Sequence, residues 1–413
     1  MNAEPFHDAA SEAEPFCEES FSRAEDPRTE ANHPPAWFSL EECRVTTWID
    51  TPPPSRRWLI DGVMPANKNL LIVAPGGTSK SMFAVQLALS IATGKPFLNR
   101  WSVGESGAVL LLAAEDDRDE LHRRFHHAAQ ALTGGDVDGG DYARQLIKDR
   151  IFAVSLVGQR NLMTGKERDQ VFQTERVCQL IAEARKIPNL RLIVIDPLAR
   201  FQGGQENASD DVTRFVETLE QIVQETGAGA LSIHHANKAS MMPGTQTTQA
   251  ASRGSSALTD GVRWQGNLST MSEQEARRFG VKSDDRKKLV QFSVVKNNYG
   301  PPISEIWLRR GDHGVLSGEM LETPRDAEDT TILARVIEIL RREFDEGREF
   351  SKNGFEQKFG GISGELGCAE KRLRFVLTEA VGQGVLELRS PQKPTRSVRE
   401  VLAVVESDQR GEF

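Results

Sequence analysis

Residues 70–81 read LLIVAPGGTSKS, and this stretch decides the fold. Four apolar residues, Leu70–Val73, form a short buried-strand pattern that ends at a glycine-rich turn. From Ser81 to Ala92 the apolar residues return at helical spacing, so we expect a strand, a tight loop and a helix in that order. Glycines let such a loop approach a phosphate closely, and the following helix presents its positive end. The stretch therefore predicts a phosphate-binding loop.

The loop departs from the GxxxxGK[ST] pattern at two positions. Ala74 replaces the first glycine and Ser79 the second. Lys80 is expected to reach the β- and γ-phosphates of a nucleotide, and the Ser81 hydroxyl to ligate Mg²⁺. Taken alone the string also fits an ordinary turn between a strand and a helix, and its setting is what favours the phosphate loop. The nucleotide-binding candidates are Pro75, Gly76, Gly77, Thr78, Ser79, Lys80, Ser81 and Met82.

Ser79 is the departure with the largest consequence. If this position requires a left-handed backbone, a serine there costs about 1–2 kcal/mol. If the position is already helical, the serine costs little. The sequence therefore favours nucleotide binding more strongly than it favours nucleotide hydrolysis.

Composition and length indicate a soluble protein of more than one domain. The chain has 413 residues, more than one ordinary domain needs. No apolar run approaches the roughly 20 residues of a membrane span, and the N-terminus lacks a secretory signal pattern. The four cysteines are scattered, without the spacing of a zinc site or a disulfide framework. We predict a cytoplasmic protein with no membrane partner.

The acidic net charge of −9 is concentrated at one end. Residues 1–30 hold nine carboxylates against two arginines, a balance of −7, which leaves −2 for the remaining 383 residues. This composition is typical of a disordered tail. The overall charge therefore does not argue against a nucleic-acid partner for the rest of the chain.

Short apolar runs alternate with helical patterns after Trp58. Strands of this kind, separated by helices, are what a parallel sheet covered on both faces requires. We predict an α/β fold with a mostly parallel sheet flanked by helices. The runs are Leu70–Val73, Ala108–Ala113, Ile151–Leu156, Leu192–Ile195, Ala230–Ile233 and Leu289–Val295. The predicted organisation is an acidic tail at 1–35, a strap at 36–57, the α/β domain at 58–322, a smaller domain at 330–404 and a tail at 405–413.

Two acidic residues follow apolar runs that we expect to be strands. Asp196 closes LIVID, at the edge where ligands bind to open α/β sheets, and could hold Mg²⁺ through its water shell. Glu115 follows AVLLLA and is our candidate for the base that orients the attacking water. The alternative for Glu115 is a solvated acidic cluster at a helix start, a role we assign to Asp116 and Asp117.

Three strings farther along the chain resemble a known family. They are HHANK at 234–238, QAASRGSSALTDGVRW at 249–264 and VKNNYG at 295–300. Together with the loop they look like the RepA replicative helicases of broad-host-range plasmids, over roughly residues 58–316. The resemblance implies a hexameric ring of RecA-like P-loop domains that hydrolyses ATP with Mg²⁺ and moves along single-stranded DNA.

The same resemblance implies roles for individual residues. His235 takes the position of a γ-phosphate sensor, and the alternative is a buried histidine bonded to backbone. Arg263 takes the place of the arginine finger that acts in the neighbouring subunit's site, with Arg253 as second choice. For either arginine a surface ion pair is the alternative. In the RecA-like arrangement the base lies on the strand next to the phosphate-loop strand, so we expect Glu115 there.

Two polar loops and the C-terminal region supply candidate DNA contacts. In ring ATPases of this type, the loops that follow the active-site strands line the central channel and contact the DNA strand. Here the two loops contain Arg200 and Lys238. The alternative is that both are ordinary surface loops. Residues 330–404 predict three helices and a hairpin, a pattern similar to a winged helix. Its third helix carries Lys371, Arg372 and Arg374, which suit DNA contact and a solvated helix face equally well. A winged helix that docks on a protein fits the pattern as well as one that binds DNA.

The leading hypothesis is a ring-forming, ATP-driven DNA helicase or translocase of RepA type, serving a plasmid or mobile element. An initiator or primase would be a natural partner. The rival is a nucleotide-switched DNA-binding regulator or replication loader without unwinding activity. A RadA-like recombinase is a third alternative, and the tail shows no polymerisation motif that would favour it.

Overall fold

In the computed structural model the chain divides into two units, residues 1–55 and 56–413, and each is described by itself. Within the first unit the described residues form turns, in which Trp48 N donates to Val45 O at 3.0 Å. The structure describes residues 38–41, 43–46, 48–134, 139–168, 170–205, 208–235, 256–392 and 400–405.

The second unit is built on a nine-stranded mixed sheet. The strands of this unit before its C-terminal region are β1 Trp58–Ile60, β2 Met64–Pro65, β3 Asn69–Ala74, β4 Ala108–Ala113, β5 Ile151–Ser155, β6 Thr164–Glu167, β7 Gln170–Gln173, β8 Leu190–Asp196, β9 Gly229–His235, β10 Trp264–Thr270, β11 Leu289–Asn297, β12 Ile306–Arg310 and β13 Leu316–Glu319. The strand order in the sheet is β13-β12-β11-β10-β3-β9-β8-β4-β5. The six strands from β10 to the edge strand β5 run parallel to one another, whereas β11, β12 and β13 are each antiparallel to the strand before them. Two small hairpins, β1–β2 and β6–β7, accompany the sheet.

Helices cover both faces of this sheet. The helices that accompany this sheet are α1 Lys80–Thr93, α2 Arg118–Thr133, α3 Gly139–Arg150, α4 Glu175–Ala184, α5 Ser209–Thr226, α6 Ser256–Gly261, α7 Glu273–Phe279 and α8 Ser283–Arg286. Along β3, Leu70 and Ile72 pack with α1 on one face, and Leu71 and Val73 pack with α5 on the other. A strand buried on both faces needs apolar residues at every position, which explains the unbroken run LLIV.

The predicted α/β class is confirmed, and each of the six apolar runs forms a strand. One expected neighbour relation is wrong: β4, which precedes Glu115, is separated from β3 by β9 and β8. Its last residue, Ala113, instead pairs with Asp196 at the end of β8. Burial does not distinguish these strands, because β4 is buried as completely as β8 and β9. The order of parallel strands is set by how the whole sheet and its connections pack, and the apolar run of one strand does not encode it.

The C-terminal region contains three helices followed by two paired strands, as predicted. They are α9 Pro324–Asp345, α10 Lys352–Phe359, α11 Glu370–Gly382, β14 Leu386–Arg389 and β15 Val401–Val404. They share one hydrophobic cluster that includes Val336, Phe355 and Leu373. The helical pattern was expected to begin at Thr330, but α9 begins at Pro324. Thr323 forms a capping box there, so the polar segment before Thr330 is helix and not a linker.

No helix in the described part of the chain is both long and apolar enough to cross a membrane.

Candidate functional site

The phosphate loop connects the end of β3 to the start of α1. Thr78 Oγ1 donates to Pro75 O at 2.8 Å and closes the loop on itself. Phe83 N donates to Ser79 O at 2.8 Å, the first hydrogen bond of the helix. The free N–H groups of the first turn of α1 therefore point toward the loop, where they favour an anion.

Ser79 has the left-handed backbone that its sequence context left undecided. Its φ is 64° and its ψ is 26°, and its side chain makes no capping hydrogen bond to the helix. Gly77 is also left-handed, with φ 77°. A serine in this conformation costs about 1–2 kcal/mol relative to its preferred states. The loop thus retains the shape of a phosphate loop in spite of its missing glycine.

Asp196 lies beside Ser81 at the centre of the site. It ends β8 and is 8% exposed, and the Ser81 hydroxyl donates to its carboxylate. Burial raises the pKa of Asp196 from 3.8 to about 6, and the Ser81 hydrogen bond and the charge of Lys80 offset part of that rise. Two hard oxygen donors next to a phosphate loop fit Mg²⁺, which takes one or two protein ligands and completes its shell with phosphate and water.

Asp116 is a functional candidate to which the sequence pattern assigned a different role. Asp117 accepts from Glu120 N at 2.8 Å and caps α2, as expected for this acidic cluster. Asp116 instead pairs with Arg124 at 3.1 Å, and its charge interacts with those of Asp196 and Lys80. Burial raises the pKa of Asp116, which the Arg124 charge partly offsets. The neighbouring β4 and β8 ends bring it there, a relation that the sequence does not display.

Glu115 follows β4 and lies near Arg200. Ala114 N donates to Asp196 O at 2.8 Å, which fixes the backbone just before Glu115. Arg200 Nε donates to Glu115 Oε1 at 3.4 Å, and both side chains are about half exposed. The candidate base and a candidate DNA contact are therefore in one ion pair.

His235 lies next to the phosphate-loop strand. It ends β9, and its Cα pairs in register with that of Ala74, the last residue of β3. His235 therefore lies at the same end of the sheet as the phosphate loop. Lys238 and Arg253 lie outside the described residues.

Arg263 lies at the end of the parallel strands that is opposite to the phosphate loop of its own chain. Arg263 N donates to Asn69 O at 3.0 Å, at the first residue of β3. The loop begins after the sixth residue of that strand, roughly 16 Å farther along at 3.3 Å per residue. Arg263 lines an open cavity of about 520 Å³ together with Lys68 and Tyr299, and its guanidinium is 3.9 Å from Glu220.

A second arginine, Arg310, contacts the phosphate loop directly, and no sequence pattern pointed to it. It ends β12, and its guanidinium donates to Gly77 O at 2.5 Å. More than two hundred residues separate the two in the chain, so only the fold brings them together.

The three basic candidates on α11 differ in their surroundings. Lys371 is exposed. Arg372 pairs with Asp329 at 2.6 Å and donates to Arg325 O, while Arg374 pairs with the buried Glu356 at 2.8 Å. Both arginines thus form ion pairs within the C-terminal region, while Lys371 and Arg374 are both exposed to solvent.

The strand ends β3, β4, β8 and β9 bring these groups to one edge of the sheet. The loop and Lys80 suit phosphates, Ser81 and Asp196 suit Mg²⁺, and Glu115 and Asp116 supply carboxylates for a water nucleophile. The arrangement fits the Mg²⁺ complex of a nucleoside triphosphate.

One family model and two solved structures are similar to this chain. Residues 38–241, just under half of the chain, match the family model AAA_25, described as an AAA domain, and this segment contains the loop, Glu115 and Asp196. A structure described as an ATPase domain is similar over 68% of this chain and 99% of its own, at 16% identity and a TM-score of 0.45. Another, described as a DnaB-like replicative helicase and its interactions with primase, is similar over 68% of each chain, at 14% identity and a TM-score of 0.47. The family match and the loop at the end of β3 agree with the predicted RecA-like P-loop core.

Proposed function

We propose that this protein is a ring-forming, ATP-dependent helicase or translocase of the RepA type. It acts on single-stranded DNA in the replication of a plasmid or other mobile element, in the cytoplasm. The observation that carries the proposal is the separation of Arg263 from the phosphate loop across one sheet. One chain cannot bring the two together. Head-to-tail contact between copies can, and such contacts close into a ring when the rotation permits.

In this proposal each residue at the loop edge has a role in ATP hydrolysis. Lys80 binds the β- and γ-phosphates, Ser81 and Asp196 hold Mg²⁺, and Glu115 orients the attacking water. His235, paired with the end of β3, contacts the γ-phosphate and reports its loss to the residues that follow it in the chain. Bound Mg²⁺ neutralises charge that develops on the phosphates.

Single-stranded DNA is expected to increase ATP turnover at low salt. The Glu115→Gln variant should bind nucleotide as the wild type does but lose nearly all turnover, with or without DNA, because its amide cannot accept a proton. The measurement is phosphate release with and without an oligonucleotide, on both proteins. Asp116→Asn is the matched comparison, since it removes the neighbouring carboxylate. If wild-type turnover ignores DNA, the helicase proposal fails.

The Arg200–Glu115 ion pair offers a route for that stimulation. Arg200 follows β8 in a loop that we assign to DNA, and DNA phosphates compete with Glu115 for its guanidinium. Removing Arg200 from Glu115 frees the carboxylate to meet the attacking water. DNA binding then raises turnover through one side chain.

The Arg200→Ala variant should therefore hydrolyse ATP faster than the wild type without DNA, and respond less to DNA. An exposed ion pair is worth up to about 1 kcal/mol, so the DNA-free rate should rise roughly two- to fivefold. The rates are measured by phosphate release over a DNA titration. Arg214→Ala, which breaks the exposed Arg214–Glu217 pair, is the control and should change neither rate. An unchanged DNA-free rate in Arg200→Ala would contradict this route.

The rival function is a nucleotide-switched DNA-binding regulator or replication loader. It is favoured by the strained Ser79 and by the C-terminal helices and hairpin, which suit a winged helix that binds a duplex or a replication protein such as an initiator or primase. Native mass and strand displacement separate the two functions. A monomer or dimer that binds duplex DNA and displaces no strand would favour the rival.

A further inference from the structure

The phosphate loop holds two left-handed residues, and only one of them is glycine. Gly77 adopts this conformation freely, whereas Ser79 does so against its own preference and without a capping hydrogen bond in return. Such backbone conformations persist only where the surrounding structure enforces them. The hydrogen bonds of Thr78 and Ser79 constrain the loop from within, and a contact from outside the loop adds a further constraint.

Arg310 makes that contact. One guanidinium nitrogen, Nη1, donates to Gly77 O at 2.5 Å, and the other, Nη2, donates to Lys287 O at 2.5 Å. We call this pair of hydrogen bonds the Arg310 bridge. It joins the loop to the turn before β11, and charged donors make such hydrogen bonds stronger than neutral ones.

The hairpin that carries Arg310 is itself fixed to the helix after the loop. Gln86 on α1 exchanges two hydrogen bonds with the backbone of Leu316, each 2.9 Å long. The turn between β12 and β13 passes beside Ser79, where a Cβ built on Gly314 would be 3.9 Å from the Ser79 hydroxyl. At the same turn His313 stacks on His127 of α2 with ring centroids 3.5 Å apart. The Arg310 bridge thus starts from an anchored element.

We propose that Arg310 is a positioning residue that holds the phosphate loop in its nucleotide-binding shape and so compensates for the missing glycine at position 79. The proposal rests on the proposed function only in taking ATP as the ligand. Without the bridge, Ser79 is free to leave the left-handed region, and nucleotide binding must restore it. With glycine at position 79 the left-handed state is no longer costly, and the bridge becomes dispensable.

The test is a double-mutant cycle on nucleotide affinity. Equilibrium binding of a fluorescent ATP analogue with Mg²⁺ is measured for wild type, Arg310→Ala, Ser79→Gly and the double variant. We expect Arg310→Ala to bind about tenfold more weakly, Ser79→Gly to bind as tightly as wild type or tighter, and the double variant to lie within about twofold of Ser79→Gly. A purely structural role of the hairpin would not be rescued by a substitution in the loop.

Arg309→Ala is the matched control. Arg309 is the adjacent residue of β12 and pairs with Glu319 within the hairpin, at 2.9 and 2.6 Å. Its loss should leave nucleotide affinity within about twofold of wild type, since it does not contact the loop. Circular dichroism of each variant checks that the fold is retained.

Three results would overturn the proposal. They are unchanged affinity in Arg310→Ala, an equal loss in Arg309→Ala, and failure of Ser79→Gly to rescue, which would mean that Arg310 binds the phosphates itself. Nucleotide binding requires neither DNA nor a ring, so the outcome is separate from that of the helicase proposal. A wild type that binds nucleotide but ignores DNA would refute the helicase alone.

Discussion

Arg263→Ala is expected to lower the rate of ATP hydrolysis by about 10³-fold, the lower end of the range for an arginine finger. The affinity for ATP should change little, because the phosphate loop of the same chain is at the opposite end of the parallel strands. Stability should also change little, since the Glu220 contact is long and about half exposed. Phosphate release under saturating ATP and DNA measures the first effect, and nucleotide titration the second.

Mixing two inactive variants tests whether Arg263 acts between copies. In the proposed function Lys80→Ala lacks the phosphate contact and Arg263→Ala lacks the finger, so neither variant is expected to hydrolyse ATP alone. In an equimolar mixture about a quarter of head-to-tail interfaces combine an intact Lys80 with an intact Arg263, and about a quarter of the activity per site should return. A finger that acted within its own chain would give no recovery.

The control for this pair is Arg185→Ala. Arg185 forms an exposed ion pair with Glu225, and its loss should leave turnover unchanged. If Arg263→Ala behaves like Arg185→Ala, the assignment of the finger fails, and Arg253 is the next residue to substitute.

Asp196→Asn is expected to make the protein more stable and catalytically inactive. Burial raises the pKa of Asp196 to about 6 in the folded chain, against 3.8 for the ordinary value. The ionised carboxylate at neutral pH therefore costs about 2–3 kcal/mol of folding free energy, at 1.36 kcal/mol per pKa unit. An asparagine avoids this cost but removes the carboxylate that Mg²⁺ requires. Thermal unfolding and phosphate release measure the two effects.

The contribution of the Asp196 carboxyl group to folding stability changes with pH in a defined direction. Because the folded-state pKa is the higher one, the folded protein binds the proton more tightly, and this contribution to stability is fully present below about pH 4. It is lost as pH rises through about 6. The midpoint difference between Asp196→Asn and wild type, measured without Mg²⁺, should therefore be largest above pH 6 and shrink toward pH 4. A difference in unfolding midpoint that stays constant with pH would contradict the raised pKa of Asp196.

Asp117→Asn serves as the control for that comparison. Asp117 caps α2, and asparagine caps helices equally well, so its stability should follow wild type at every pH. Adding Mg²⁺ with ADP should stabilise the wild type and Asp117→Asn, but Asp196→Asn far less, because ligand binding adds stability only where the ligand binds.

Most of the strands that the sequence predicted are buried on both faces, and the runs of β3 and β4 are apolar at every position. The predicted strand β5 is the exception, since it is apolar in sequence but half exposed. Strand β10 was not predicted, because it buries polar residues. Two of them are hydrogen-bonded to each other, since Gln265 Nε2 donates to Asn267 Oδ1 at 2.9 Å. A buried polar pair is stable in the fold but removes the apolar signal from the sequence.

The residues of the candidate site likewise divide into those that the sequence predicted and those that only the fold brings to the site. Asp196 ends a strand, and Lys80 and Ser81 begin the helix after the phosphate loop, so the chain itself carries their position. Asp116 and Arg310 depend on contacts between strands far apart in sequence, namely the pairing of β4 with β8 and the approach of β12 to the loop. The expected neighbour of Glu115 was wrong for the same reason, since strand order is set by packing across the whole sheet.

Helix α9 is a long, uninterrupted helix that connects the β12–β13 hairpin to the rest of the C-terminal region. Four residues separate it from β13, whose hairpin contacts the phosphate loop, and it runs for 22 residues without a glycine, with its proline confined to the first turn. A helix of this length extends about 33 Å, so a tilt of about 10° at its start displaces its far end by about 6 Å. A tilt at Pro324, next to the hairpin that contacts the phosphate loop, would therefore move the far end of α9 near Asp345 by several ångströms.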